Sequence, residues 1–234
     1  MGDYPKILLA APINKVKNYC FEEWLNYIKN FTYKNFDVYF VDNSVDFSWH
    51  EKYKTEDIKI DYVSPIKKRN VDILCECQNK IRQHVMDWGY DYYLSLECDV
   101  FPPLDVIELL LSDKKDIVSF PYFINQGEFS ILCMTELESG WGKINVNRNI
   151  DFQEQLFKFN GQVIKSDANG IGCAMIKKDV LFKIKGFRTD PSQNVHADMF
   201  FYIDLKNLGI ENYLDTSLIV EHRNISWNTI PNFS

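Results

Sequence analysis

The chain has 234 residues, 46% of them hydrophobic and 25% charged, which is enough for one large domain with a substantial core. Its formal net charge of −7 lacks the basic footprint of a nucleic-acid binder. No apolar run is long enough to span a bilayer as a helix, and the six cysteines include no CxxC pair, which argues against a zinc site.

The first predicted element is a buried strand over Lys6 to Ile13 (KILLAAPI). No secretory leader precedes it, so reduced cysteines in a cytoplasmic protein are the expectation. Gly2 invites myristoylation, but Lys6 stands where that motif needs Ser or Thr. Asn30-Phe31-Thr32 and Asn224-Ile225-Ser226 fit the glycosylation sequon, which matters only in a secreted chain.

Tyr19, Trp24, Leu25 and Ile28 fall at helical spacing within residues 18–30. A second strand follows at Phe36 to Val41, closed by the turn-formers Asp42-Asn43-Ser44. Asp57 to Val63 alternates as a third strand. Val71 to Trp88 is a long amphipathic helix that Gly89 terminates. Asp91 to Leu96 is the fourth strand, and Pro102-Pro103 opens a helix continuing through Leu104 to Leu111. Asp116 to Phe123 is strand-like. This order predicts an α/β fold: an open, mainly parallel sheet flanked by helices, with ligands at the carboxyl edge of the strands. Residues 126–162 read as excursions around a site. Beyond them come a strand at Ile171 to Lys177, helices at Asp179 to Ile184 and His196 to Leu208, and a last strand at Ser217 to Val220.

Glu97-Cys98-Asp99 ends the fourth strand. Residues two apart in a strand face the same side, so the two carboxylates project together. Oxygen ligands of this kind suit Mg²⁺ or Mn²⁺. Taken alone, such a triplet is more often a pair of solvated acids, and its place after an apolar strand and before Pro102-Pro103 is what raises the metal reading. Asp42 sits on another carboxyl-edge turn, as a partner for a nucleobase or ribose or as an ordinary Asx-turn. Lys67-Lys68-Arg69 offers cations for phosphate, with Arg69 nearest the sheet edge, or else forms a solvated run. Asn169-Gly170-Ile171-Gly172 permits close approach to a ligand or forms a tight turn. Asp198 opens a helix as a cap or a general base. His222 is a candidate third metal ligand, though a lone histidine is more often structural.

In this order the set resembles glycosyltransferases of the GT-A fold, family 2-like, over roughly residues 6 to 222. The segment Tyr90 to Leu110 (YDYYLSLECDVFPPLDVIELL) is its most specific part. The resemblance implies a nucleotide-sugar donor such as a UDP- or GDP-sugar, and Mn²⁺ or Mg²⁺. It places the family's D-x-D signature on Glu97-Cys98-Asp99, with Glu in the first position. It implies a nucleotide pocket at Ala11, Pro12 and Asp42, with Arg69 near the diphosphate. The glycine-containing acceptor-side strand matches Asp167 to Lys177, and the catalytic acid matches Asp198. His196-Ala197 stand where the family usually has a further acid. A single domain follows, with 1–121 as the donor half and 122–234 as the acceptor half.

The expected activity is sugar transfer to a hydroxyl acceptor, a glycan in the first instance, with Trp141 a candidate sugar platform. One rival is a sugar nucleotidyltransferase, although Ala11-Pro12-Ile13-Asn14-Lys15 lacks the glycine-rich phosphate loop of that class. The other is a non-catalytic carbohydrate-binding protein on the same fold.

Overall fold

A computed structural model of the chain describes residues 4–125, 129–131, 133–134, 137–140, 143–146 and 161–223. In chain order, the elements that place the site begin with β1 (Ile7–Ile13), α1 (Phe21–Ile28), β2 (Phe36–Asp42), β3 (Ile58–Tyr62) and α2 (Asn70–Asp87). They continue with β4 (Tyr92–Leu96), β5 (Val100–Phe101), α3 (Val106–Ser112), β6 (Ile117–Ser119) and β7 (Val163–Ser166). The last are β8 (Cys173–Lys177), α4 (Lys178–Lys183), α5 (Ala197–Asn207), β9 (Asn212–Asp215) and β10 (Glu221–His222).

Eight strands form one sheet in the order β7-β9-β6-β8-β4-β1-β2-β3. The run β4-β1-β2-β3 is parallel throughout. β8 enters antiparallel between β4 and β6, β9 lies parallel to β6, and β7 is antiparallel to β9. The sheet is therefore parallel over β4-β1-β2-β3 and mixed in the other half.

The two-residue period of β1 splits the core into two layers. Ile7, Leu9, Ala11 and Ile13 point into a cluster with Phe21, Trp24 and Leu25 of α1 and Val106, Ile107 and Leu110 of α3. Leu8 and Ala10 face the opposite cluster, built on α2, α4 and α5. Both faces are covered, which is why the parallel strands are nearly continuous apolar runs. Gly89 takes the left-handed conformation, φ 72°, that ends α2.

Two predicted strands differ from the structure. The strand expected at 116–123 stops at Ser119: Phe120 N–H still donates to the Cys173 carbonyl of β8 at 3.1 Å, but Pro121 beyond it has no N–H to carry the ladder on. The last strand of the sheet is β9 at Asn212–Asp215, upstream of the expected 217–220. Asp215 turns the chain by accepting from Ser217 N–H at 2.8 Å, and only Val220 retains a bridge, to Tyr122. Asn and Asp at the strand ends masked β9, yet Asn212 is buried and its amide donates to the Ser166 carbonyl.

Short pieces lie beside the sheet. Phe123–Asn125 pairs with Phe129–Ile131, Leu137–Gly140 with Lys143–Val146, and Cys133–Met134 with Ala168–Asn169. Among the described residues no helix is long and apolar enough to cross a membrane. Cys20, Cys75, Cys77, Cys98 and Cys173 are free and buried.

Candidate functional site

β4 runs out of the sheet at Leu96, and the chain then turns tightly, with Val100 N–H donating to the Glu97 carbonyl at 3.0 Å. The turn puts Glu97 and Asp99 at the carboxyl edge. β5 after it pairs antiparallel with β10, setting His222 opposite Val100, and Arg223 N–H donates to the Asp99 carbonyl at 2.8 Å. A histidine 123 positions downstream of Asp99 is thereby pinned against it. Ligand atoms of Glu97, Asp99 and His222 lie within 4.8 Å of one another.

Asp99 is fully buried. His222 Nε2 lies 3.3 Å from its Oδ2, which also takes an ion pair from Lys17 Nζ. Burial pushes the Asp99 carboxyl up, but His222 and Lys17 outweigh it and hold the pKa below the usual carboxylate range. Asp99 Oδ1 has no hydrogen-bond partner among the described residues. A buried carboxylate oxygen left unsatisfied is costly unless something else comes to it. Two carboxylates and an imidazole form a donor set that suits Mn²⁺, the imidazole favouring it over Mg²⁺.

Glu97 is half-buried. Burial, and after it the Asp99 charge, push its pKa up, and the Asp198 carboxylate adds to the shift. Asp198 stands in the first turn of α5. Asp198 Oδ1 accepts from Met199 N–H at 2.9 Å at the positive end of the helix. Burial nonetheless raises its pKa, with His196 offsetting part of the effect. A carboxylate whose affinity for a proton is raised is what a general base needs.

Gly170 and Gly172 are buried against Tyr122. A Cβ would fall 2.3 Å from the Tyr122 hydroxyl at Gly170 and 2.6 Å at Gly172, and at Gly172 also 3.1 Å from the Glu97 carboxyl carbon. Gly172 N–H donates to the Tyr122 hydroxyl at 2.9 Å, and its carbonyl accepts from Glu97 N–H at 2.9 Å. The Tyr122 ring meets His222 edge-on with centroids 5.0 Å apart. The glycines expected on the acceptor side therefore hold a tyrosine that packs against His222, while the Gly172 carbonyl itself bonds Glu97.

Asp42 ends β2 and is fully buried. Its Oδ1 accepts from Ser44 N–H and Oγ at 2.9 and 2.6 Å, and its Oδ2 meets His50 Nδ1 at 2.7 Å. Ala11 packs into the core, with Pro12 half-buried beside it on β1. Arg69, expected near the diphosphate, makes its contacts within the chain. Its guanidinium grips Asp72 at 2.6 and 2.7 Å and donates to the carbonyls of Asp190, Pro191 and Gln193. This anchors the loop ahead of α5. Trp141 and Asn224 lie outside the described residues.

Lys17, Tyr19, His50 and Tyr122 are the site residues that the sequence reading missed. For Lys17 a signal existed, since it follows the carboxyl end of β1. For Tyr122 and His50 there was none, because their partners are 50 and 8 positions away on other elements.

The sequence matches no protein-family model and no curated protein. Solved structures do match. A mannosyltransferase from Pyrobaculum calidifontis in complex with GDP-Man and Mn²⁺ superposes with a TM-score of 0.56 at 16% identity, over 94% of this chain and 57% of that one. GalNAc-T7 with UDP, GalNAc and Mn²⁺ gives 0.66 at 10% identity, over 95% of this chain and 44% of that one. The chain thus spans about half the length of these structures. The likeness shows the GT-A fold.

Proposed function

We propose that this GT-A-fold chain is a metal-dependent glycosyltransferase that moves a sugar from a UDP- or GDP-sugar to a hydroxyl acceptor, a glycan in the first instance. The observation that carries the reading is the convergence of Glu97, Asp99 and His222 at the carboxyl end of β4. The two matched structures hold GDP-Man or UDP together with Mn²⁺, which supports the same donor class here.

Asp99, Glu97 and His222 would hold the ion. Bound there, Mn²⁺ supplies charge to neutralise a departing nucleoside diphosphate. Asp42 and the β1 edge at Ala11 and Pro12 border the nucleoside end, with Asp42 held in place by Ser44 and His50. Gly170 and Gly172 act on the sugar side through Tyr122. In an inverting transfer Asp198 takes the proton of the acceptor hydroxyl as it attacks the anomeric carbon. In a retaining transfer it orients the acceptor instead.

Asp198→Asn separates these. For a base, kcat of nucleoside diphosphate release in the presence of acceptor falls by about 10²–10⁴ while donor affinity stays within about threefold. A loss of donor affinity at unchanged kcat removes Asp198 from the chemistry.

A further inference from the structure

Lys17 has no part in the reading above. It lies at the end of a short 3-10 turn, Lys15–Lys17, between β1 and α1. Its ammonium pairs with Asp99 Oδ2, and its side chain is only 15% exposed. The Tyr19 hydroxyl lies 3.3 Å from the same oxygen. Asp99 has 0% of its surface exposed, so Lys17 and Tyr19 help close off the carboxylate that a divalent cation would use. The other end of the turn is tied to the nucleoside side. Lys15 N–H donates to Ser44 Oγ at 2.7 Å, and the Asn14 amide donates to the Asn43 carbonyl at 3.1 Å. Lys15 Nζ pairs with Asp46 at 2.8 Å. One short segment therefore touches both the Asp42–Ser44 turn and the metal-ligating carboxylate.

We propose that Lys17 is a built-in counter-cation: it holds the Asp99 carboxylate while no donor is bound, and moves to the donor diphosphate when donor and divalent cation enter together. The inference rests on the glycosyltransferase reading and adds a residue that couples its two ligands. Two cations at one buried carboxylate repel each other strongly at short range. A tethered ammonium therefore opposes a divalent ion that arrives alone. A diphosphate offers that ammonium a second anionic partner, and lysine is a compact phosphate binder. The ion then binds weakly alone and tightly with diphosphate, and by linkage the diphosphate gains equally from the ion.

The test is a Mn²⁺ titration followed by the loss of the free-ion electron paramagnetic resonance signal, with and without UDP or GDP. Ion held by free diphosphate is subtracted. The wild type is compared with Lys17→Met, Lys17→Arg and Asp99→Asn. Lys17→Met should bind Mn²⁺ alone about tenfold or more tighter than wild type, and should gain much less from added diphosphate. Lys17→Arg keeps the charge and should resemble wild type. If circular dichroism shows that Lys17→Met does not fold, Lys17→Gln is read in its place. Equal Mn²⁺ affinity of wild type and Lys17→Met without diphosphate overturns the proposal and leaves the metal reading standing. No Mn²⁺ binding to any of the proteins, or binding that Asp99→Asn does not weaken, overturns the metal reading and the role of Lys17 with it.

Discussion

Tyr122 touches Gly170, Gly172 and His222 at once, and so carries packing from the segment before β8 into the cluster of candidate metal ligands. Adding one methyl at Gly172 forces the ring or Glu97 aside, since the new carbon would lie 2.6 Å from the hydroxyl and 3.1 Å from the Glu97 carboxyl carbon. Gly172→Ala should lose about 1–3 kcal/mol of stability in urea unfolding, as overpacking does. It should also weaken Mn²⁺ binding in the presence of diphosphate. Intact stability together with intact Mn²⁺ affinity would show that the glycine only shapes a turn. The acids of this site were legible because the sheet edge is sequence-readable: Asp42 ends β2, and Glu97 and Asp99 follow β4, although a tight turn rather than the two-residue strand period sets those two side by side. His222 was legible only as a residue type at the end of the chain. Its contact with Asp99 depends on the pairing of β5 with β10, which no local pattern encodes.

At the scale of elements, the loop over residues 190–193 is set against the start of α2 by one side chain. Arg69 bonds Asp72 and three loop carbonyls, and Asp72 also accepts from the Thr189 hydroxyl at 2.7 Å. Arg69→Ala removes the four Arg69 contacts together and should lower the urea unfolding midpoint. It should also raise protease sensitivity near residue 190 while leaving nucleoside diphosphate affinity within about threefold. A large loss of diphosphate affinity with unchanged stability would restore the direct phosphate role that the basic run Lys67-Lys68-Arg69 invites. β1, β2, β3, α2 and β4 were readable to within a residue, because each is a periodic or apolar segment bounded by turn-formers, whereas α1 starts three residues inside the expected 18–30. β6 and β9 were not. They are three and four residues long, and their place in the sheet is set by long-range pairing with β8 and β7 rather than by period.

Across the whole molecule, stability should depend on pH through Asp113, next to α3. Burial, and after it the Asp215 charge, raise its pKa from 3.8 to about 6. Its Oδ2 is buried without a hydrogen-bond partner among the described residues. Between pH 4 and 6 the native state therefore keeps a proton that the unfolded chain has lost, and stability falls as pH rises through that window. Asp113→Asn should remove this contribution. Its gain over wild type in the urea midpoint should grow from pH 4 to pH 6 and level off above. A gain independent of pH would show that Asp113 ionises normally. The same carboxyl-edge logic makes the proposed donor site a property of the sheet as a whole: β1, β2 and β4 deliver Pro12, Asp42 and the Glu97–Asp99 turn to one rim. The most direct measurement of the central claim is thermal unfolding with UDP- and GDP-sugars, with and without Mn²⁺. A cognate donor with Mn²⁺ at about a hundredfold over its Kd should raise Tm by about 5–10 °C. The shift should shrink sharply without the ion and disappear in Asp99→Asn. No shift with any nucleotide sugar, or one that survives Asp99→Asn undiminished, would contradict the account.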